Sequence, residues 1–106
     1  MKTNEHGAPL DRNGYAPSIV QTLDDSCELC GCSGNLVRHE IFFGPYRTKS
    51  KVEGLWVSIC QNCHTSLHAR KGGYDSYLKE RGQRTAMRTY GWTVEDFRAR
   101  FGKNYT

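Results

Sequence analysis

The sequence predicts a small α+β fold: two short strands, a helix running out of the second, and further helices towards the C-terminal end. Three observations carry that prediction. Two Cys-x2-Cys pairs, Cys27/Cys30 and Cys60/Cys63, stand 29 residues apart. Two apolar runs of strand character lie between them, the second leading straight into Cys60. Hydrophobic residues make up only 37% of the 106, so the core is small and needs a metal or a cross-link to hold it.

Residues 1–24 hold Gly7, Pro9, Asn13, Gly14 and Pro17 among few aliphatics. They read as a flexible, irregular or disordered arm, with the domain proper spanning 25–106. Cys27-Glu-Leu-Cys-Gly-Cys-Ser-Gly-Asn reads as a tight turn, in which Gly31 and Gly34 supply the backbone freedom a metal knuckle requires. Leu36-Val-Arg-His-Glu-Ile-Phe-Phe is the first strand, closed by Gly44-Pro45. Polar, basic Tyr46 to Glu53 reads as a loop, and Leu55-Trp-Val-Ser-Ile as the second strand.

A helix is expected from about Gln61 to about Arg70, broken by Lys71-Gly72-Gly73. Tyr74 to Tyr90 has helical spacing, with Tyr74, Tyr77, Leu78, Arg81 and Thr85 along one side. Gly82 weakens that helix, and Gly91 suits its C-terminal stop. Thr93-Val-Glu-Asp96 has capping-box spacing and opens a short helix through Phe101, ended by Gly102. Trp56, Trp92, Phe97 and Phe101 read as core rather than as platforms for bases.

A Cys-x2-Cys turn presents two thiolates to one ion, and two such turns complete a tetrahedron with Zn–S bonds of about 2.3 Å. Cys27, Cys30, Cys60 and Cys63 are therefore expected to hold one structural zinc with no coordination position left open. Two disulfides, or four reduced core thiols, are the alternatives. The paired spacing weighs against both, and an expected reducing compartment against the disulfides. Cys32 is the odd thiol, either a substitute for Cys30 or a spectator.

His64 follows the last of these cysteines and His68 lies four residues on. On a helix, positions i and i+4 share a side, so both imidazoles can reach one ion or one phosphate. His39 sits on the first strand, which the zinc ties to the second strand and its helix. Each histidine alone has an ordinary explanation as a satisfied or exposed polar residue. The conjunction points to a second, functional metal site beside the structural one.

Arg38-His39-Glu40-Ile41, a loop, and then Leu55-Trp-Val-Ser-Ile-Cys-Gln-Asn-Cys-His64-x3-His68 resemble the HNH endonucleases over roughly residues 25–70. Arg-His-Glu-Ile-Phe-Phe-Gly, Gln83 and the closing Phe-Gly-Lys-Asn-Tyr resemble small phage and prophage members, extending the likeness to most of the chain after the arm. The resemblance implies a zinc-braced ββα-metal fold with additional C-terminal helices, and metal-dependent hydrolysis of phosphodiester bonds in DNA. It puts His39, His64 and His68 on a divalent catalytic metal (Mg, Mn, Ni or Zn) and Glu40 in the slot that usually holds the general base. That slot is usually a histidine, and the family's middle asparagine has no counterpart near Gly54-Leu55. The base is therefore either Glu40, or His39 with Glu40 on the metal. The alternative function is a nucleic-acid-binding or inhibitor module that keeps the fold without cutting.

The charge distribution suits a polyanionic partner and equally a solvated helical surface that is simply basic. Residues 1–37 carry two basic and five acidic side chains, net −3, whereas residues 70–106 carry nine basic and four acidic, net +5. Arg38, Arg47, Lys49 and Lys51 flank the expected site as DNA-backbone contacts, and Arg84, Arg88, Arg98 and Arg100 extend that surface. No stretch is apolar enough to span a membrane, and the start lacks the basic-then-apolar pattern of a secretory signal. The expectation is a cytoplasmic protein, in a bacterial host if phage-encoded, working as a monomer or homodimer.

Overall fold

Leu36–Glu40 (β1) and Trp56–Cys60 (β2) pair antiparallel, with Leu36 opposite Cys60, His39 opposite Val57 and Glu40 opposite Trp56. A computed structural model describes residues 2–106 of the chain, and together with four helices the sheet makes an α+β domain. β1 is shorter than its apolar run. Ile41 keeps a single backbone bond, from its amide to the Leu55 carbonyl at 3.1 Å, and both it and Phe42 are buried in the core beneath the later helices.

The polar segment expected as a loop folds as a turn of 3-10 helix, Gly44–Tyr46, and then a short α-helix, Arg47–Val52 (α1). Its solvated residues hid it: Ser50 is the one buried residue of α1. The Ser50 hydroxyl donates to the carbonyl of Leu55 and accepts from the amide of Phe42, satisfying backbone between the two strands. Gly54 then turns the chain with φ +73°, and a Cβ there would meet the Pro17 carbonyl at 2.5 Å, so both conformation and space demand glycine.

Gln61–His68 (α2) starts directly on β2, and the thiol of Cys60 caps it by accepting from the amide of Cys63. Tyr74–Tyr90 (α3) buries Leu78, Gly82, Gln83, Thr85 and Ala86. The inward face is therefore rotated from the expected one: Tyr77 is 52% exposed and Arg81 turns to Glu28. Gly82 is a close-approach position, since a Cβ there would lie 3.2 Å from Ile41 and Phe42. Val94–Phe101 (α4) carries the expected capping box, with Thr93 Oγ1 accepting from the Asp96 amide at 3.1 Å and the Asp96 carboxylate accepting from the Thr93 amide at 2.9 Å. Phe97 and Phe101 are fully buried against Phe42, whereas Trp56 and Trp92 are half-buried.

Among its described residues, the segment expected as a flexible arm has no helix and only an isolated bridge, Thr3 with Pro9, yet it is anchored at several points. Asn4 is buried and donates to the Val52 carbonyl, Trp56 donates its indole N–H to the Ala16 carbonyl, and Gln21 accepts from the Ser58 amide. Ala16 and Val20 are buried as well, so a few aliphatic side chains and these long-range polar bonds fasten a segment whose composition reads as disordered. Among the described residues, no helix is long and apolar enough to cross a membrane.

Candidate metal centres and their cleft

The two cysteine pairs meet. The Sγ atoms of Cys27, Cys30, Cys60 and Cys63 lie within 4.8 Å of one another. A tetrahedral ion with 2.3 Å bonds spaces its sulfurs about 3.8 Å apart, and Cys30 and Cys60 stand at 3.7 Å. Each knuckle directs an amide at its first sulfur, Cys30 N to Cys27 and Cys63 N to Cys60, both at 3.4 Å. Burial opposes ionisation of Cys27, but amide hydrogen bonds outweigh it and bring its pKa down to about 6. Burial and its cysteine neighbours push the Cys63 thiol the other way. Four thiolates this close need a cation to coexist, and the donor set suits a structural metal such as zinc. Cys32 is exposed and stands outside the cluster.

The histidines converge as well. One nitrogen from each of His39, His64 and His68 falls within 4.8 Å of the others, and His64 Nε2 lies 3.0 Å from His68 Nε2. α2 brings the latter pair together by helical spacing, and the β1–β2 register sets His39 against them. His39 is buried, His64 half-buried and His68 exposed. Burial, then the neighbouring imidazoles, lowers the His39 pKa to about 4, and burial lowers that of His64. Both rings are therefore neutral near pH 7, the state in which an imidazole nitrogen offers its lone pair to a metal. A tetrahedral ion with bonds of 2.0–2.1 Å spaces nitrogens about 3.3 Å apart, so the three residues fit such an ion.

The cluster opens into a cleft of about 420 Å³ lined by Arg38, His39, Glu40, Phe43, Arg47 and His68, among others. Neighbours on a strand point to opposite faces, but Glu40 is the last paired residue of β1, and both it and His39 reach the cleft. Glu40 is outside the three-nitrogen cluster. Its buried carboxylate accepts from Arg47 Nε at 2.5 Å, while the Arg47 side chain is 66% exposed.

The expected phosphate contacts separate into two groups. Arg38 and Arg47 line the cleft, and an adjoining groove adds Lys51, Asn13 and Tyr15. Arg38 is preset by Asp11 at 2.9 Å and by stacking on Tyr15 and Trp56. Lys49 points elsewhere, donating to the Arg100 carbonyl at 3.1 Å. In the tail, Arg84 pairs with Glu80 and Arg100 lies over Trp92, while the cleft is lined by neither.

Tyr15 and Phe43 were not legible as site residues. Burial and then the nearby Glu40 carboxylate raise the pKa of the Tyr15 phenol, which puts the anchored arm beside the site. Phe43 packs near both His39 and His68. Its place at the end of an apolar run was the only available signal. No protein-family model, no curated protein and no solved structure matches this chain.

Proposed function

We propose that this protein is a divalent-metal-dependent endonuclease of the HNH type that hydrolyses phosphodiester bonds in DNA, braced by zinc on its four cysteines. The observation that carries this reading is the convergence of three imidazole nitrogens beside a cleft rimmed by Arg38 and Arg47. Hydrolysis requires an activated water, charge neutralisation on the phosphoryl oxygens and help for the leaving oxygen; a bound divalent ion supplies the last two. His39, His64 and His68 hold that ion, and three imidazoles lean towards a transition metal over Mg.

Arg38 and Arg47 orient the phosphate. Arg47 is exposed enough to transfer from Glu40 to a phosphoryl oxygen, which frees the Glu40 carboxylate. Glu40 then accepts the proton from the attacking water as the P–O bond to the leaving oxygen breaks. With His39 in the nitrogen cluster and Glu40 outside it, Glu40 is the favoured base and His39 the favoured ligand.

A non-cleaving metal- and DNA-binding module is the second reading, and the Glu40–Arg47 ion pair is the observation that favours it, because a carboxylate held there accepts no proton. One experiment separates the two. Purified protein is incubated with supercoiled and single-stranded DNA across several divalent metals, beside His39→Ala and His64→Ala. Cleavage by the native chain that both substitutions abolish supports the enzyme. Retarded DNA without cleavage supports the module, and equal trace activity in all three proteins sinks the nuclease.

A further inference from the structure

Among the described residues, two buried side-chain atoms have no hydrogen-bond partner: His39 Nε2 and Asp75 Oδ1. Leaving a buried polar group unpaired costs about 1–3 kcal/mol, so each such atom asks for a reason. The two are complementary, since an imidazole nitrogen can donate and a carboxylate oxygen can only accept.

They also belong to one neighbourhood. A run of contacts connects them: Asp75 Oδ2 accepts from Lys79 Nζ at 3.1 Å, that Nζ lies 4.3 Å over the Phe43 ring, and Phe43 stands 5.8 Å from His39 between ring centroids. Asp75 is in the first turn of α3, and α3 packs on α2, the helix of His64 and His68. Lys79 engages one carboxylate oxygen and leaves Oδ1 unused. Glu40, the other carboxylate near His39, is committed to Arg47.

We infer that Asp75 is a positioning residue for His39, accepting a hydrogen bond from the Nε2 N–H directly or through one bridging water and leaving Nδ1 for the metal. Metal-ligating histidines commonly donate the second ring N–H to a carboxylate, which fixes the tautomer and makes the ligand more basic. No direct bond joins the two atoms here, and a water is the usual bridge between polar atoms beyond bonding distance. The inference rests on the histidine cluster being a metal site. It does not require DNA cleavage.

The test reads the ring first and the metal second, on the full chain with zinc already on the cysteines. By ¹⁵N NMR, His39 is expected to be protonated on Nε2, and Asp75→Ala is expected to lose that single tautomer. In Co²⁺ titrations of the histidine site, Asp75→Ala and Asp75→Asn should weaken binding about 10- to 100-fold, with part of the loss rescued by Asp75→Glu. Lys79→Met removes the ion pair but keeps the carboxylate, and should stay within about twofold of the native chain. Retained zinc and unchanged helical circular dichroism establish that each variant is folded.

Three results overturn the inference: a native His39 protonated on Nδ1, an Asp75→Ala chain that binds Co²⁺ as the native one does, or a Lys79→Met loss equal to that of Asp75→Ala. A native chain whose histidines take no Co²⁺ overturns it together with the metal site. If Co²⁺ binding depends on Asp75 while no metal yields DNA cleavage, the nuclease reading fails and this inference stands.

Discussion

The four cysteines and the three histidines are both clusters of metal-ligating atoms within 4.8 Å, and α2 carries ligands of both. The cysteine cluster is closed. It offers four ligands, and backbone amides point at its sulfurs, so a tetrahedral ion there has no position left for water or substrate. The histidine cluster supplies only three ligands and faces a cleft with two arginines on its wall. Ligand count thus separates a brace from a site able to take a fourth, exchangeable oxygen. Cys60 and His64 lie one helical turn apart, so fixing the first fixes the second.

The largest effect follows from that division of labour. Stripping the cysteine metal with a strong chelator under reducing conditions should unfold the domain, because the small core lacks another cross-link, and Cys60→Ser should do the same. His39→Ala and His64→Ala should keep both the cysteine-bound metal and the helical circular dichroism signal. An apoprotein with an unchanged spectrum would remove the distinction between the two clusters, as would histidine variants that unfold.

Within the histidine cleft, ligand and base should come apart in kinetics. On the proposed nuclease reading, Glu40→Gln slows DNA cleavage by about 10²- to 10⁴-fold, the usual contribution of a positioned general base, while metal affinity at the histidines stays level. His64→Ala should lose metal and cleavage together. Isothermal titration beside single-turnover cleavage reads both quantities. A Glu40→Gln chain that loses its metal would move Glu40 onto the ion and return the base role to His39.

A smaller effect concerns what seats the cysteine knuckle on the rest of the fold. The Glu28 side chain is 2% exposed and accepts from Arg81 at 2.6 Å, from the Thr22 hydroxyl at 2.7 Å and from two backbone amides. It joins the knuckle, the N-terminal segment and α3 at one carboxylate. Arg81→Met leaves the other three donors in place, so the expected cost is about 2 kcal/mol of stability in urea with metal bound, in the range for a hydrogen bond to a charge. Unchanged stability would make that junction dispensable.

Legibility followed the range of the interaction. The cysteine knuckles and the His64–His68 pair were readable because each depends on neighbours within one turn of chain. His39 needed one step more, the pairing of two strands, and the spacing of the cysteines supplied it. What escaped depends on long-range polar contacts: the anchoring of Asn4 and Gln21, the junction at Glu28, and the approach of Tyr15 and Asp75 to the site. Helix α1 escaped for a related reason. Its residues are mostly polar and solvated, and only the Ser50 hydroxyl reports that the segment is packed.

The smallest effect tests which cations belong to the open cluster. Two positions apart in sequence, Lys49 and Lys51 read as equivalent cations, yet Lys49 is tied to the Arg100 carbonyl while Lys51 lies over Tyr15 in the groove that continues the cleft past Arg38 and Arg47. If DNA follows that groove, Lys51→Ala should weaken binding uniformly across sequences and reduce the slope of log K against log salt by about 0.9, the value for one phosphate contact on duplex DNA. Lys49→Ala should leave the slope unchanged. Equal changes from both would mean that the backbone crosses α1 rather than the groove, and the path to the histidines would have to be redrawn.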